Sequence, residues 1–170
     1  MSQRTLIPRP LTAAAFAPFG DVLSVIDCTP KTINYGNTVR YDTGAALNLD
    51  AQSGRPGISI FRATPLAKPI KIALMERHPL SSQAFYPLSG HPFLVVVAPK
   101  GDLDPANICA FLATPDQGVN YHPGVWHHYL LALDGVSDFL VVDRLGSQNS
   151  KTENCDELPL SPPLVVEMSQ

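Results

Sequence analysis

Residues 76–90 read ERHPLSSQAFYPLSG, and the apolar run PFLVVVA follows at 92–98. Side chains two apart on a strand point to the same face, so Glu76 and His78 are expected to share one. Gln83 joins them if the turn through Pro79–Ser82 resets the alternation. A carboxylate, an imidazole and a carboxamide thus stand beside the most hydrophobic strand of the chain. Buried polar groups are costly unless paired or bound to something, which makes this stretch a candidate wall of a binding site. Taken alone, a pair such as Glu76 and His78 is more often an exposed pair than a metal site.

The flanking sequence extends the strand reading in both directions. KIALMERH, SQAFYPL, PFLVVVA, ICAFLAT, GVNYH, VWHHYLLAL and DFLVVDR are all short strand candidates, separated by Pro, Gly or Asp signals. With 17 prolines and 11 glycines in 170 residues, turns and short strands are favoured over long helices. That pattern predicts an all-β sandwich or barrel, not βαβ units. In ISIFRATP (58–65), Ile58, Ile60 and Arg62 fall on one face, and Arg62 is expected inward if the isoleucines are. LTAAAFAPFGDVLSV (11–25) predicts one short N-terminal helix, with Thr12 as N-cap, running into a strand near Gly20. Residues 1–170 read as a single domain. The polar and then proline-rich stretch 146–170 is expected as a tail packed on the barrel or on a partner subunit.

Charge and composition exclude several classes. A formal net charge of −3 gives no electrostatic footprint for nucleic acid or an anionic membrane. No apolar run approaches the roughly 20 residues of a membrane-spanning helix, and the N-terminus lacks the apolar core of a secretion signal. Cys28, Cys109 and Cys155 are odd in number, far apart and in no C-x-x-C pair. They predict neither a disulfide framework nor a thiolate zinc site, and a reducing, cytoplasmic compartment follows.

The second polar cluster is NYHPGVWHHYLLAL (120–133), which holds His122, His127 and His128 around a Pro-Gly turn. Tyr121, Val125, His127, Tyr129 and Leu131 share one parity, and Trp126, His128 and Leu130 the other. In an ordinary strand His127 and His128 do not both face inward. His122 has the simpler reading of a turn cap.

The spacing of the two clusters resembles the two motifs of the cupin superfamily. The first cupin motif is His-x-His, three or four residues, a carboxylate, six residues, then Gly. Here Glu76-x-His78, four residues, Gln83, six residues and Gly90 keep the spacing with two ligand types changed. The second motif, Pro-x-Gly-x-x-His, is read over His122-Pro123-Gly124-Val125-Trp126-His127 and makes His127 the inward histidine. More closely, ERHPLSSQAF, PFLVVVA, GVNYHPGVWHHYLLAL and DFLVVDR, with the early LTAAAFAPFGDVL, resemble the ureidoglycolate lyase family from about residue 5 to 145.

The resemblance implies a cupin-like β-barrel (a double-stranded β-helix or jelly roll) and a cytoplasmic homodimer acting in allantoin, hence purine, degradation. It implies release of glyoxylate and urea from (S)-ureidoglycolate, a small anionic substrate. It also implies a divalent metal, with nickel as the family's assigned cofactor. Carried onto this chain, the metal ligands are Glu76, His78, His127 and Gln83. His122 or His128 is expected to move the proton, with Tyr121 second, because imidazole titrates near neutral pH. Arg62 is the expected partner of the substrate carboxylate, since its planar fork matches that group. Asn120 is the expected partner of the urea group. Two rivals remain: another metal-dependent cupin enzyme, an oxygenase or sugar-acid isomerase, and a non-enzymatic ligand-binding cupin.

Overall fold

The computed structural model describes residues 4–26, 28–146 and 154–168. The chain begins with β1 (Thr5–Leu6), β2 (Arg9–Pro10), the helix α1 (Ala13–Phe16) and β3 (Gly20–Leu23). A separate hairpin, β4 (Pro30–Ile33) and β5 (Thr38–Tyr41), precedes β6 (Arg55–Ala63), β7 (Ile70–Arg77), β8 (Gln83–Pro87) and β9 (Phe93–Ala98). Then come β10 (Cys109–Ala113), β11 (Gly118–Tyr121), β12 (Trp126–His127), β13 (Leu131–Ala132), β14 (Ser137–Leu145) and β15 (Asp156–Val166).

These strands form two main sheets. The first runs β1-β15-β7-β12-β9-β10-β2, with β13 also pairing β9, and the second runs β3-β11-β8-β14-β6. Most pairings are antiparallel, β1–β15 and β2–β10 being parallel. The run PFLVVVA explains how one strand organises two cores. Every residue of β9 is buried. Phe93, Val95 and Val97 pack with Phe85, Phe111, Val119, Phe139 and Val141. Leu94, Val96 and Ala98 face the other way, against Ile70, Ile72, Trp126 and Leu164. Alternation sends successive side chains to opposite faces, so a strand with no polar parity has to be covered on both.

The N-terminal helix is one turn long. Thr12 caps it, its Oγ1 accepting from the Ala15 N–H at 3.2 Å. Phe16 and Phe19 from this segment close the second core. The chain then enters β3 at Gly20, where a Cβ would lie 2.0 Å from the Asn120 carbonyl oxygen. Only glycine allows that approach between β3 and β11.

Two expectations need correction. Ile58 and Ile60 are 75% and 57% exposed, so the Ile58–Ile60–Arg62 face of β6 looks outward, not inward. The alternation was real, but β6 is the edge strand of its sheet, and its core-facing side is lined by the other parity. His127 and His128 are both buried, at 2% and 3% exposure. The strand ends at His127, and beyond it the two-residue period no longer applies. The His128 N–H donates instead to the Val96 carbonyl at 2.9 Å.

The segment expected as a tail supplies β15, which pairs β7 on one side and β1 on the other. Its register shifts between Pro159 and Leu164, around the run Ser161-Pro162-Pro163. A bulge is where a strand accommodates prolines.

Candidate metal centre and active site

Both polar clusters lie where the chain leaves one sheet for the other. β7 belongs to the first sheet and β8 to the second, so the turn 78–82 is a sheet-switching corner. The turn 122–125 does the same in reverse, from β11 to β12. Gly124, with φ of 77°, makes that turn, and its N–H donates to the His78 carbonyl at 2.9 Å. The two corners are thereby hydrogen-bonded to each other.

Register then sets the side chains. His127 pairs with Glu76 across β12–β7, and Tyr121 pairs with Gln83 across β11–β8. Glu76, His78 and His127 each offer a donor atom within 4.8 Å of the other two. The Glu76 Oε1 lies 3.6 Å from the His127 Nδ1, and the His78 and His127 rings are 5.2 Å apart. Gln83 completes the group, its Oε1 3.1 Å from the His78 Nε2. Tyr121 stacks on His127, with ring centroids 4.3 Å apart and planes 2° from parallel.

Burial sets the protonation states. His127 is pushed down to about 3, first by desolvation and then by His78, so its ring is neutral at physiological pH. Desolvation raises Glu76, with His78 opposing it. Burial, and after it the nearby Glu76 charge, pushes the Tyr121 phenol up and keeps it protonated. Burial also lowers His128.

Two features fit a bound cation. A neutral imidazole carries one proton and one lone pair, and the His127 Nδ1 faces the Glu76 carboxylate and, at 3.4 Å, the His128 carbonyl. The Nε2 of His127 is buried and has no hydrogen-bond partner among the described residues. The second feature is a meeting of acceptors. His78 Nδ1 donates to the Asn154 carbonyl at 2.6 Å, leaving a lone pair on Nε2 in the neutral ring. That lone pair faces the Gln83 oxygen, whose amide nitrogen donates to Asp143 Oδ2 at 3.4 Å. Mixed nitrogen and oxygen donors of this kind suit a first-row divalent ion. Glu76 also falls in a second donor group with Cys155 and Glu157. Burial first, then the charges of Glu76, Glu157 and Asp156, push the Cys155 thiol up.

Glu76 and Gln83 open onto a cavity of about 370 Å³, walled by Phe61, Phe85, Tyr129 and Leu130. Gln83 and His78 also border a smaller cavity of about 170 Å³ with Asp143, Arg144 and Asn154. Arg62 borders the larger cavity, but its side chain is 72% exposed and grips Asp138 with two hydrogen bonds of 2.7 and 2.9 Å. His122 turns away from the cluster, its Nε2 3.2 Å from Asp21 Oδ2. Asn120 is fully buried, its amide nitrogen donating to Asp21 and to the Ala46 carbonyl. The His128 Nδ1–H donates to the Tyr129 carbonyl at 3.0 Å. The structure therefore brings together Glu76, His78, Gln83, His127 and Tyr121, of which Glu76, His78 and Gln83 border the two cavities, and it leaves His122, His128 and Asn120 engaged elsewhere.

Asp143 and Asn154 were not anticipated. Asp143 shares the parity of the buried Phe139 and Val141 in β14, a signal present in DFLVVDR. Asn154 reaches His78 from a distance of 76 residues in sequence, and nothing local announces it.

Two curled β-sheets with nitrogen and oxygen donors gathered at their shared corners define a cupin-like barrel with a metal-capable site. The family model described as ureidoglycolate lyase matches residues 3–167, so the match runs past Arg144 and takes in β15. A ureidoglycolate lyase from Burkholderia cepacia is 53% identical over 151 residues, covering 88% of this chain and 83% of its own. Another, from Pseudomonas aeruginosa, is 52% identical over 155 residues, covering 91% and 89%. The chain belongs to the ureidoglycolate lyase family. Among solved structures, a dTDP sugar isomerase from Desulfovibrio desulfuricans aligns over 85% of this chain and 88% of its own at 15% identity, with a TM-score of 0.45.

Proposed function

We propose that this protein is a lyase that cleaves (S)-ureidoglycolate to glyoxylate and urea, as a step in allantoin degradation. The observation that carries the reading is the convergence of Glu76, His78 and His127, with an orphaned His127 nitrogen, in a chain of this family. In the substrate one carbon bears a hydroxyl, a carboxylate and a urea nitrogen. Cleavage takes the hydroxyl proton as the carbon–nitrogen bond breaks, forms the aldehyde, and returns a proton to the departing urea nitrogen. Water adds no atoms, so no serine or cysteine nucleophile is needed.

Glu76, His78, His127 and Gln83 would hold a divalent ion, nickel in our reading. When bound, such an ion supplies Lewis-acid stabilisation of a developing alkoxide. The remaining work falls to side chains. Phe61, Phe85 and Leu130 give the larger cavity apolar walls. Tyr121 is the proposed proton donor to the leaving urea, since its ring lies on His127 within the donor cluster. His122 and His128 are less well supported, as each is engaged away from the donor cluster. Arg62 borders the larger cavity and is the proposed partner of the substrate carboxylate, exchanging or sharing its contact with Asp138. Asn120 is proposed to act through the sheet rather than on the urea group directly.

A cytoplasmic homodimer is part of the same reading. The three cysteines are free, as in a reducing compartment. Among the described residues, no helix is long and apolar enough to cross a membrane. A second copy would cover the exposed Ile58, Ile60 and Leu140 on the outer face of β6 and β14, where Leu140 and Ile60 are register partners.

The test is glyoxylate release from (S)-ureidoglycolate by protein purified without added metal, before and after chelation and then with divalent ions restored. Release that falls with chelator and returns with nickel supports the lyase and the ligand set together. Release indifferent to chelator keeps the lyase and removes the metal. No release under any condition overturns the reading in favour of another cupin chemistry.

A further inference from the structure

We infer that Asn154 is a positioning residue of the active site, and that through it the segment leading into β15 selects which nitrogen of His78 is free to bind. The inference rests on the reading of His78 as a ligand, and it concerns how the ring is prepared for that task. His78 lies just beyond the end of β7, where the ladder no longer holds it. Asn154 lies just before β15, whose register with β7 sets Asp156 opposite Arg77 and Glu157 opposite Glu76. The Arg77–Asp156 ion pair, 2.8 Å, fastens the same end of the two strands.

Among the described residues, Asn154 makes three hydrogen bonds to the corner 78–81. Its backbone carbonyl accepts from the His78 Nδ1 at 2.6 Å. Its Oδ1 accepts from the Leu80 N–H at 2.7 Å, and its Nδ2 donates to the Ser81 Oγ at 2.7 Å. The side chain therefore acts as a brace that holds the carbonyl against the ring. A carbonyl oxygen only accepts, so it fixes the proton of a neutral His78 on Nδ1 and leaves the lone pair on Nε2, in the cavity beside Gln83.

The alternative state is set by the same geometry. Without the carbonyl, the neutral ring can place its proton on Nε2 and donate to the Gln83 Oε1, 3.1 Å away. That hydrogen bond would occupy both the ring nitrogen and the amide oxygen proposed as ligands. Partners of ligating histidines commonly change metal affinity by about 10- to 100-fold when removed.

The decisive measurement is made on metal-free protein near pH 8, uniformly labelled with ¹⁵N at histidine. Long-range ¹H–¹⁵N correlations then assign the proton of His78, with the His78→Gln variant identifying its signals. The expected result in the unsubstituted protein is a single form protonated on Nδ1. In Asn154→Ala the form protonated on Nε2 should appear, and nickel affinity, measured by chelator competition, should fall about tenfold. Asn154→Asp keeps the acceptor for Leu80 and can accept from the Ser81 hydroxyl, so the original tautomer should be retained. If Asn154→Ala fails to fold, Ser81→Ala removes one brace alone and should shift the tautomer in the same direction. A His78 protonated on Nε2 in the unsubstituted protein overturns the inference. So does an Asn154→Ala protein that folds with both tautomer and nickel affinity unchanged. Failure of the lyase reading looks different: no glyoxylate is released, while the tautomer result stands.

Discussion

The two corners that build the site have the same construction and different chemistry. In each, a strand of one sheet ends, a short turn crosses over, and a strand of the other sheet begins. At 76–83 the half-buried Glu76 and His78 and the buried Gln83 border cavities, and His78 is held by a carbonyl from a distant segment. At 121–128 the working histidine, His127, is sealed in the core against Tyr121, while His122 turns out to Asp21. One corner lines the cavities with polar side chains, and the other is anchored in the hydrophobic interior. A site split in this way gains rigidity from its buried half and access from its open half.

Replacing His127 with Ala is expected to have the largest effect. It removes a stacked, fully buried ring, so activity should fall to background and stability by about 2–4 kcal/mol, by analogy with large-to-small core substitutions. Denaturant unfolding and glyoxylate assays check both. His78→Ala should also abolish activity, with loss of bound metal, yet cost only about 1 kcal/mol, the worth of its hydrogen bonds. Equal destabilisation by the two variants would break the contrast between the corners. Activity lost with metal content unchanged would remove His78 from the ligand set.

Acid should expose the buried half next. His127 binds its proton near pH 3 in the folded chain and near pH 6.5 when unfolded. Between those values the unfolded state holds more protons, so stability rises with pH there. The contribution is complete above about pH 6.5 and is lost as pH falls towards 3. Urea melts of metal-free protein across that window should show the slope, and His127→Gln should flatten it. The smallest effect is expected at Arg62→Ala, on an exposed ion pair. KM for the anionic substrate should rise about tenfold, the worth of one charge-assisted contact, with metal content unchanged. An unchanged KM would free Arg62 of the carboxylate role.

Much of this was legible in the sequence. The spacing of Glu76, His78, Gln83 and Gly90, with Gly124 three residues before His127, carries the barrel corners, because strand alternation and turn chemistry are local properties. The Thr12 cap and the entry to β3 at Gly20 are local in the same sense. Alternation says which residues share a face, though not which face meets the core. For that reason alternation groups Ile58, Ile60 and Arg62 on one face, and only the sheet shows that this face looks outward.

His128 is buried because β12 stops at His127 and pairs on both sides, a matter of tertiary register that no two-residue period contains. The same holds for the proline-rich end of the chain, where hydrophobic residues spaced by prolines read as a tail and become a strand only because β7 offers an edge. The sequence by itself determined the strands from β6 to β14, the corners and the residues proposed as donors. Tertiary structure decided which donors meet, which histidines are spent elsewhere, and that Asn154 closes on His78, since contacts across some 76 residues depend on the packing of whole sheets and leave no local trace.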